Sequence, residues 1–343
     1  MRRPSRSAVL LAAVLALACG DDPAPDRFPR NVWTWVDLPG TACSDGSPTG
    51  VAVNRGEGPD LLLFFDGGGA CWETLTCFVA GTASPGPYAR AEFEQQSAEI
   101  PGTILDRALP GNPFARHTLV FVPYCTGDVH AGDAIRSYPG APRRWHHKGR
   151  VNVERVLDFL REGFPSPPRV VVSGASAGGF GALFSYDEVR ERWPAARGYL
   201  VDDSGPPPAG FDLEPALRTA WTLAWNLDET LPAACAGCAD DFSAILPFLA
   251  ARYPDDRLAL LSTTQDAVMR GFFVLSAPAF ERMVLRLARD VVLPLPNART
   301  FLVPGSAHAL LAAPASYSAG GVPLLEWLRR EVEDDPAWTS VGP

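Results

Sequence analysis

The stretch Arg169–Ala182, RVVVSGASAGGFGA, carries a short apolar, β-branched run straight into Gly174-Ala175-Ser176-Ala177-Gly178 and then into further small residues. Such a run meeting G-x-S-x-G reads as a nucleophile elbow: a buried strand, a sharp turn with the serine at its tip, and the start of a helix. The turn holds Ser176 in a strained backbone conformation, and a side chain at Gly174 or Gly178 would collide with the neighbouring strand or helix. A bare G-x-S-x-G arises easily by chance in a glycine-rich chain, so the strand-to-helix context is what gives this one weight.

Upstream, Asp60–Phe65 (DLLLFF) is a nearly continuous apolar run of the kind that forms a strand buried on both faces. It ends in Asp66-Gly67-Gly68-Gly69, where glycine lets the backbone itself approach a substrate oxygen. Thr118–Tyr124 is a further strand, and Asn152–Leu160 has helical spacing before the elbow strand, which completes a β-α-β unit. Beyond the elbow the pattern predicts a helix over Phe180–Arg192, strands at Gly198–Val201, Leu258–Ser262 and Phe301–Val303, and a closing helix at Leu324–Val332. Partial alternation over Val32–Asn54, with turns at Pro39-Gly40 and Asp45–Pro48, predicts antiparallel strands at the start. The fold class expected is α/β: a doubly wound, mainly parallel, α/β-hydrolase-like sheet.

Serine of itself is a poor nucleophile and needs a histidine base oriented by a carboxylate. In this fold both partners follow the serine, acid first, which of the five histidines leaves only His308, in the loop after the last strand. Asp266, after the strand before the last, is the favoured acid, with Asp203, after the strand that follows the elbow, as the alternative. An insertion over about 205–253, with Trp221 and Trp225, would cap Ser176; its tryptophans would line a pocket or form the core of the cap.

The chain has 343 residues, a formal charge of −9 and seven cysteines. Residues 1–18 read as a signal peptide, with Arg2, Arg3 and Arg6 before an apolar run too short to span a bilayer. Residues 19–31 read as an exported tether whose Cys19 would carry lipid, and 32–343 as one domain. Acidic charge disfavours nucleic acid and anionic membrane as partners, which leaves a lipid on Cys19 as the membrane contact. The six other cysteines pair by proximity as Cys71–Cys77 and Cys235–Cys238, leaving Cys43 with Cys125. Zinc at Cys235-x-x-Cys238 lacks further ligands, and the reading calls for no metal and no cofactor.

Phe65–Cys71 (FDGGGAC), Thr41–Gly50 (TACSDGSPTG), Tyr124–Gly132 (YCTGDVHAG), Gly174–Gly178, Asp203-Ser204-Gly205 and Gln265-Asp266 together resemble the pectin acetylesterase and Notum family of carboxylester hydrolases. The resemblance implies a serine esterase with Ser176, Asp266 and His308 as triad and the N–H groups of Gly68, Gly69 and Ala177 as oxyanion hole. It also implies the bridges Cys43–Cys125 and Cys71–Cys77. The plant branch implies O-acetyl groups on a polysaccharide or a smaller acylated substrate; the alternatives are a longer-chain lipase or protein deacylase of Notum type, and a non-catalytic binding module. The chain departs from the family at the glycine loop, where Trp72 follows Cys71 instead of a tryptophan standing at Gly69 or Ala70.

Overall fold

In a computed structural model of the chain, which describes residues 28–343, eight strands form one central sheet. They are β1 (Trp33–Asp37), β2 (Gly50–Asn54), β3 (Leu61–Phe65), β4 (Thr118–Val122), β5 (Arg169–Ala175), β6 (Arg197–Asp203), β7 (Arg257–Thr263) and β8 (Ala298–Val303). Their spatial order is β1-β2-β4-β3-β5-β6-β7-β8. β2 pairs antiparallel with both β1 and β4, and every pair from β4 to β8 is parallel. The expected class, a mainly parallel α/β sheet with an antiparallel start, is what forms. The segment read as a signal peptide and Cys19 lie outside the described residues; Phe28, within the stretch read as a tether, is buried and stacks on Phe164.

The central strands are apolar throughout because both faces are covered. Successive residues point to opposite sides, so Val170 and Val172 enter one hydrophobic cluster while Val171 enters the other. Each such fully buried side chain contributes about 1.5–3 kcal/mol, more than the whole range of intrinsic strand propensity, about 1 kcal/mol. Burial therefore fixes β5. Among the described residues the seven longest helices are α1 (Arg90–Gln96), α2 (Gly149–Gly163), α3 (Ala177–Arg192), α4 (Pro215–Trp225), α5 (Ile245–Arg252), α6 (Ala277–Arg286) and α7 (Leu324–Val332). α3 is buried from Ala177 to Arg190, and its buried charges are paired: Arg190 Nε lies 2.6 Å from Asp256, which Tyr186 also donates to.

Residues between β6 and α5 cover the carboxyl end of the sheet, whereas α5 packs beside α3 and β7 as part of the crossover. The cover is tied down at the end of α4: Trp225 Nε1 donates to Cys71 O, Asp133 N to Trp225 O and Arg136 Nε to Ala224 O. Disulfides join Cys43 to Cys125, Cys71 to Cys77 and Cys235 to Cys238, the pairing that spacing predicts. Among the described residues no helix is long and apolar enough to cross a membrane.

Candidate active site

The carboxyl edge of the parallel strands collects the residues singled out above, as open α/β sheets do with their ligand sites. Ser176 caps β5 with φ 61° and ψ −122°, a sparsely populated conformation for a residue with a side chain. Its own N–H donates to Asp203 O at 2.8 Å, which helps hold the turn. A Cβ at Gly178 would lie 1.9 Å from Phe65 O, and one at Gly174 2.1 Å from Gly178 O, so the turn can press against β3 only with glycine at both places. α3 starts at Ala177, which aims the positive end of a 16-residue helix at the serine.

His308 lies in the loop after β8, and its Nδ1 meets Asp266 Oδ2 at 2.7 Å. Asp266 is fully buried; its Oδ1 accepts from Val268 N and Met269 N, both at 2.9 Å. Each carboxylate oxygen thus has a donor, which fixes the orientation that the ring meets. The histidine loop is fastened to the loop after β7, with Gln265 N donating to Gly305 O, Ala267 N to Ser306 O and Thr263 Oγ1 to Ala307 O. Asp203 makes no hydrogen bond to the ring. It accepts from Leu311 N at 2.7 Å and from Ser204 Oγ, whose oxygen in turn accepts from Ala309 N. Burial pushes the Asp203 carboxyl up to about 6, against the pull of these donors. Asp203 therefore holds the backbone that carries His308.

None of the other four histidines lines a cavity with Ser176. His130 Nε2 bonds to Asp66 O, and His147 lies between Thr126 O and the Tyr138 hydroxyl. Burial lowers both, to about 4 and about 3, so each is neutral at pH 7. Burial does the same to His117, which falls to about 4.

Gly68 and Gly69 follow β3 with φ 149° and 73°. Gly69 faces Ala83 across a short antiparallel bridge whose bonds run from Ala70 N to Thr82 O and from Ser84 N to Gly68 O. In that pattern the N–H of Gly69 itself lies outside the pairing. Gly69 and Ser176 together separate two cavities. One is a narrow apolar chamber of about 30 Å3, walled by Trp221, Trp225, Phe180, Phe184, Phe242 and Phe273. The other is an open cavity of about 510 Å3 that also contains His308. Trp221 and Trp225 both line the chamber and are both core, being 5% and 1% exposed, so the two roles weighed from sequence coincide. Trp72 packs on Trp221 at 5.5 Å.

Sequence reasoning missed part of these walls. Phe272 and Met269, after β7, line the chamber, and Asp66, Gln96 and Glu99 line the open cavity. Asp66 alone had a signal, its place directly before the glycine run. Among the described residues no group of three or more histidine, cysteine, aspartate or glutamate side chains could hold a metal ion.

The model of a pectinacetylesterase family matches residues 33–207, just over half the chain. Among curated relatives, palmitoleoyl-protein carboxylesterase NOTUM of Homo sapiens is 28% identical over 176 residues, 48% of this chain and 34% of the relative. Palmitoleoyl-protein carboxylesterase notum2 of Xenopus laevis is 29% identical over 155 residues, 43% and 30%. Pectin acetylesterase 4 of Arabidopsis thaliana is 26% identical over 171 residues, 48% and 41%. The chain thus matches well under half the length of each of these relatives. The family match holds Ser176 and the glycine loop and stops short of Asp266 and His308.

Proposed function

This chain belongs to the pectinacetylesterase family, and from that premise we propose that it is an exported serine carboxylesterase that removes short acyl groups, O-acetyl above all, from a polysaccharide or smaller alcohol. The observation that carries the reading is the 2.7 Å contact of His308 with buried Asp266, at the rim of the cavity that Ser176 also lines. Three disulfides support export, since such bonds persist in oxidising compartments.

In this mechanism Ser176 Oγ attacks the ester carbonyl carbon while His308 Nε2 takes its proton. Asp266 holds Nδ1–H and so sets the tautomer that leaves Nε2 free as base. The carbonyl oxygen becomes an oxyanion facing the N–H groups of Gly68, Gly69 and Ala177, each such donor worth about 3 kcal/mol in the transition state. As the C–O bond to the alcohol breaks, His308 gives its proton to the leaving oxygen. Water then attacks the acyl-enzyme by the same route, releasing the acid and restoring Ser176.

The acyl group would lie in the narrow chamber and the alcohol in the open cavity. Room of about 30 Å3 is small, roughly two to three times the least that holds one water, which supports a short acyl group. The chamber wall, apolar but for Ser176, favours a second reading, a longer acyl chain admitted by displaced aromatics. A series of p-nitrophenyl esters from acetate to palmitate tests both: highest kcat/KM at acetate supports the first, and at the long end the second. Undiminished acetate hydrolysis by Ser176→Ala would remove the mechanism altogether, and with it the preference over a binding module.

A further inference from the structure

The open cavity says something about the alcohol that leaves. Phe64, Ile100 and Val268 supply apolar surface there, and Gln96, Ser97 and Thr103 supply hydrogen-bonding edges. Apolar faces beside a few convergent polar groups suit a ring with C–H faces and hydroxyl rims. The charged side chains on this lining, apart from His308, are Asp66 and Glu99, and among the described residues that line it there is no lysine or arginine.

Gln96 turns its amide towards Asp66: its Nε2 lies 3.1 and 3.0 Å from the two carboxylate oxygens, and its Oε1 accepts from the Tyr88 hydroxyl. Asp66 is held in place by that amide and keeps lone pairs for an incoming hydroxyl. Burial pushes its carboxyl up to about 7, with Glu99 adding to the shift. The other titratable groups around it are Tyr88, behind Gln96, His130, on its carbonyl, and His308, across the cavity.

We propose, on the serine-esterase reading above, that the alcohol side of this site is built for an uncharged polyhydroxylated group, and that Asp66 and Glu99 discriminate against a uronate. A substrate carboxylate entering here meets two others with no cation to offset them, and like-charge placement of this kind is a strong device for rejecting a ligand. A neutral sugar ester instead donates hydroxyls to the same carboxylates.

The test compares an O-acetylated polyuronate with the same chain after methyl esterification of its carboxyls, at pH 8 and low ionic strength. The neutral chain should show a kcat/KM roughly tenfold higher, and added salt should narrow the gap because the cavity is open to solvent. Glu99→Gln, at an exposed position, should narrow the ratio roughly threefold, and Glu99→Lys should narrow it further. Equal or faster turnover of the free acid, or a ratio unmoved by both variants, overturns the inference. Cleavage of p-nitrophenyl acetate with neither polymer touched overturns it as well, while leaving the esterase reading in place. Failure on every ester removes that reading, and the inference with it.

Discussion

Ser176 is held at a φ that favours glycine, by a hydrogen bond from its own N–H and by two glycines that let the turn press against β3. Strain of this sort costs on the order of 1–3 kcal/mol and persists when the surroundings impose it. Ser176→Gly should therefore raise stability by about 1 kcal/mol while abolishing fluorophosphonate labelling. A thermal melt shows the gain, and an unchanged or lowered midpoint would count against a strained nucleophile. The two candidate acids separate at the same scale. Asp266→Asn should lower kcat by about 10^4, because an amide supports the wrong imidazole tautomer. Asp203→Asn should cost far less, since an amide oxygen can still accept from Leu311 N. Steady-state kinetics on the two variants decides, and the reverse order would hand the role of acid to Asp203.

The segment between β6 and α5 and the turn after β7 close the narrow chamber, and their aromatics set its size. Phe272 is only partly buried, and its ring tip would lie 3.2 Å from a Cβ at Gly69, so it closes the chamber next to the glycine loop. Phe272→Ala should move the ester chain-length optimum upward, by raising kcat/KM for butyrate and hexanoate esters relative to acetate. An optimum that stays at acetate would show that the deeper rings, Trp221 and Phe242, set the limit. Much at this scale was readable. β3, β5 and β7 announce themselves as continuous apolar runs because both of their faces are covered, and α7 is expected over the residues it occupies. α1 and α6 were not read. α6 does carry a start signal, Ser276 accepting from Ala279 N with a proline in the first turn, whereas Ala89, just before α1, has no capping side chain and only donates its N–H to Glu92.

Across the molecule, cross-links and buried charge set the stability. The bridge Cys43–Cys125 closes 82 residues and Cys71–Cys77 only six. By loop entropy their removal should cost about 4–5 and about 2 kcal/mol respectively, a difference that denaturant melts of the serine pairs would resolve. Glu331, in α7, is fully buried with neither carboxylate oxygen hydrogen-bonded. Burial raises its pKa well above the ordinary value, against the attraction of Arg257. A raised carboxyl pKa means the folded chain binds its proton more tightly than the unfolded one. This group's cost to folding is therefore nil below pH of about 4 and grows as pH rises. Glu331→Met should stabilise by about 1–3 kcal/mol at pH 8 and by progressively less towards pH 5. A gain independent of pH would mean that the carboxyl titrates alike in the folded and unfolded chain.

The sequence alone determined the central strands, the elbow and two close disulfides, with Cys43–Cys125 left as the remaining pair, because apolar runs, glycine at a forced turn and cysteine proximity are local in cause. It could narrow the acid to Asp266 or Asp203, both just past a strand and both followed by small or polar residues. Only tertiary structure decided which carboxylate His308 meets. That depends on how the loops after β7 and β8 are fastened together, and those bonds join residues about forty apart in the chain. The two cavities were equally beyond reach of sequence. Their walls come from β3, β4, α1, the segment after β6 and the turn after β7, and a cavity is defined by what those segments leave unfilled.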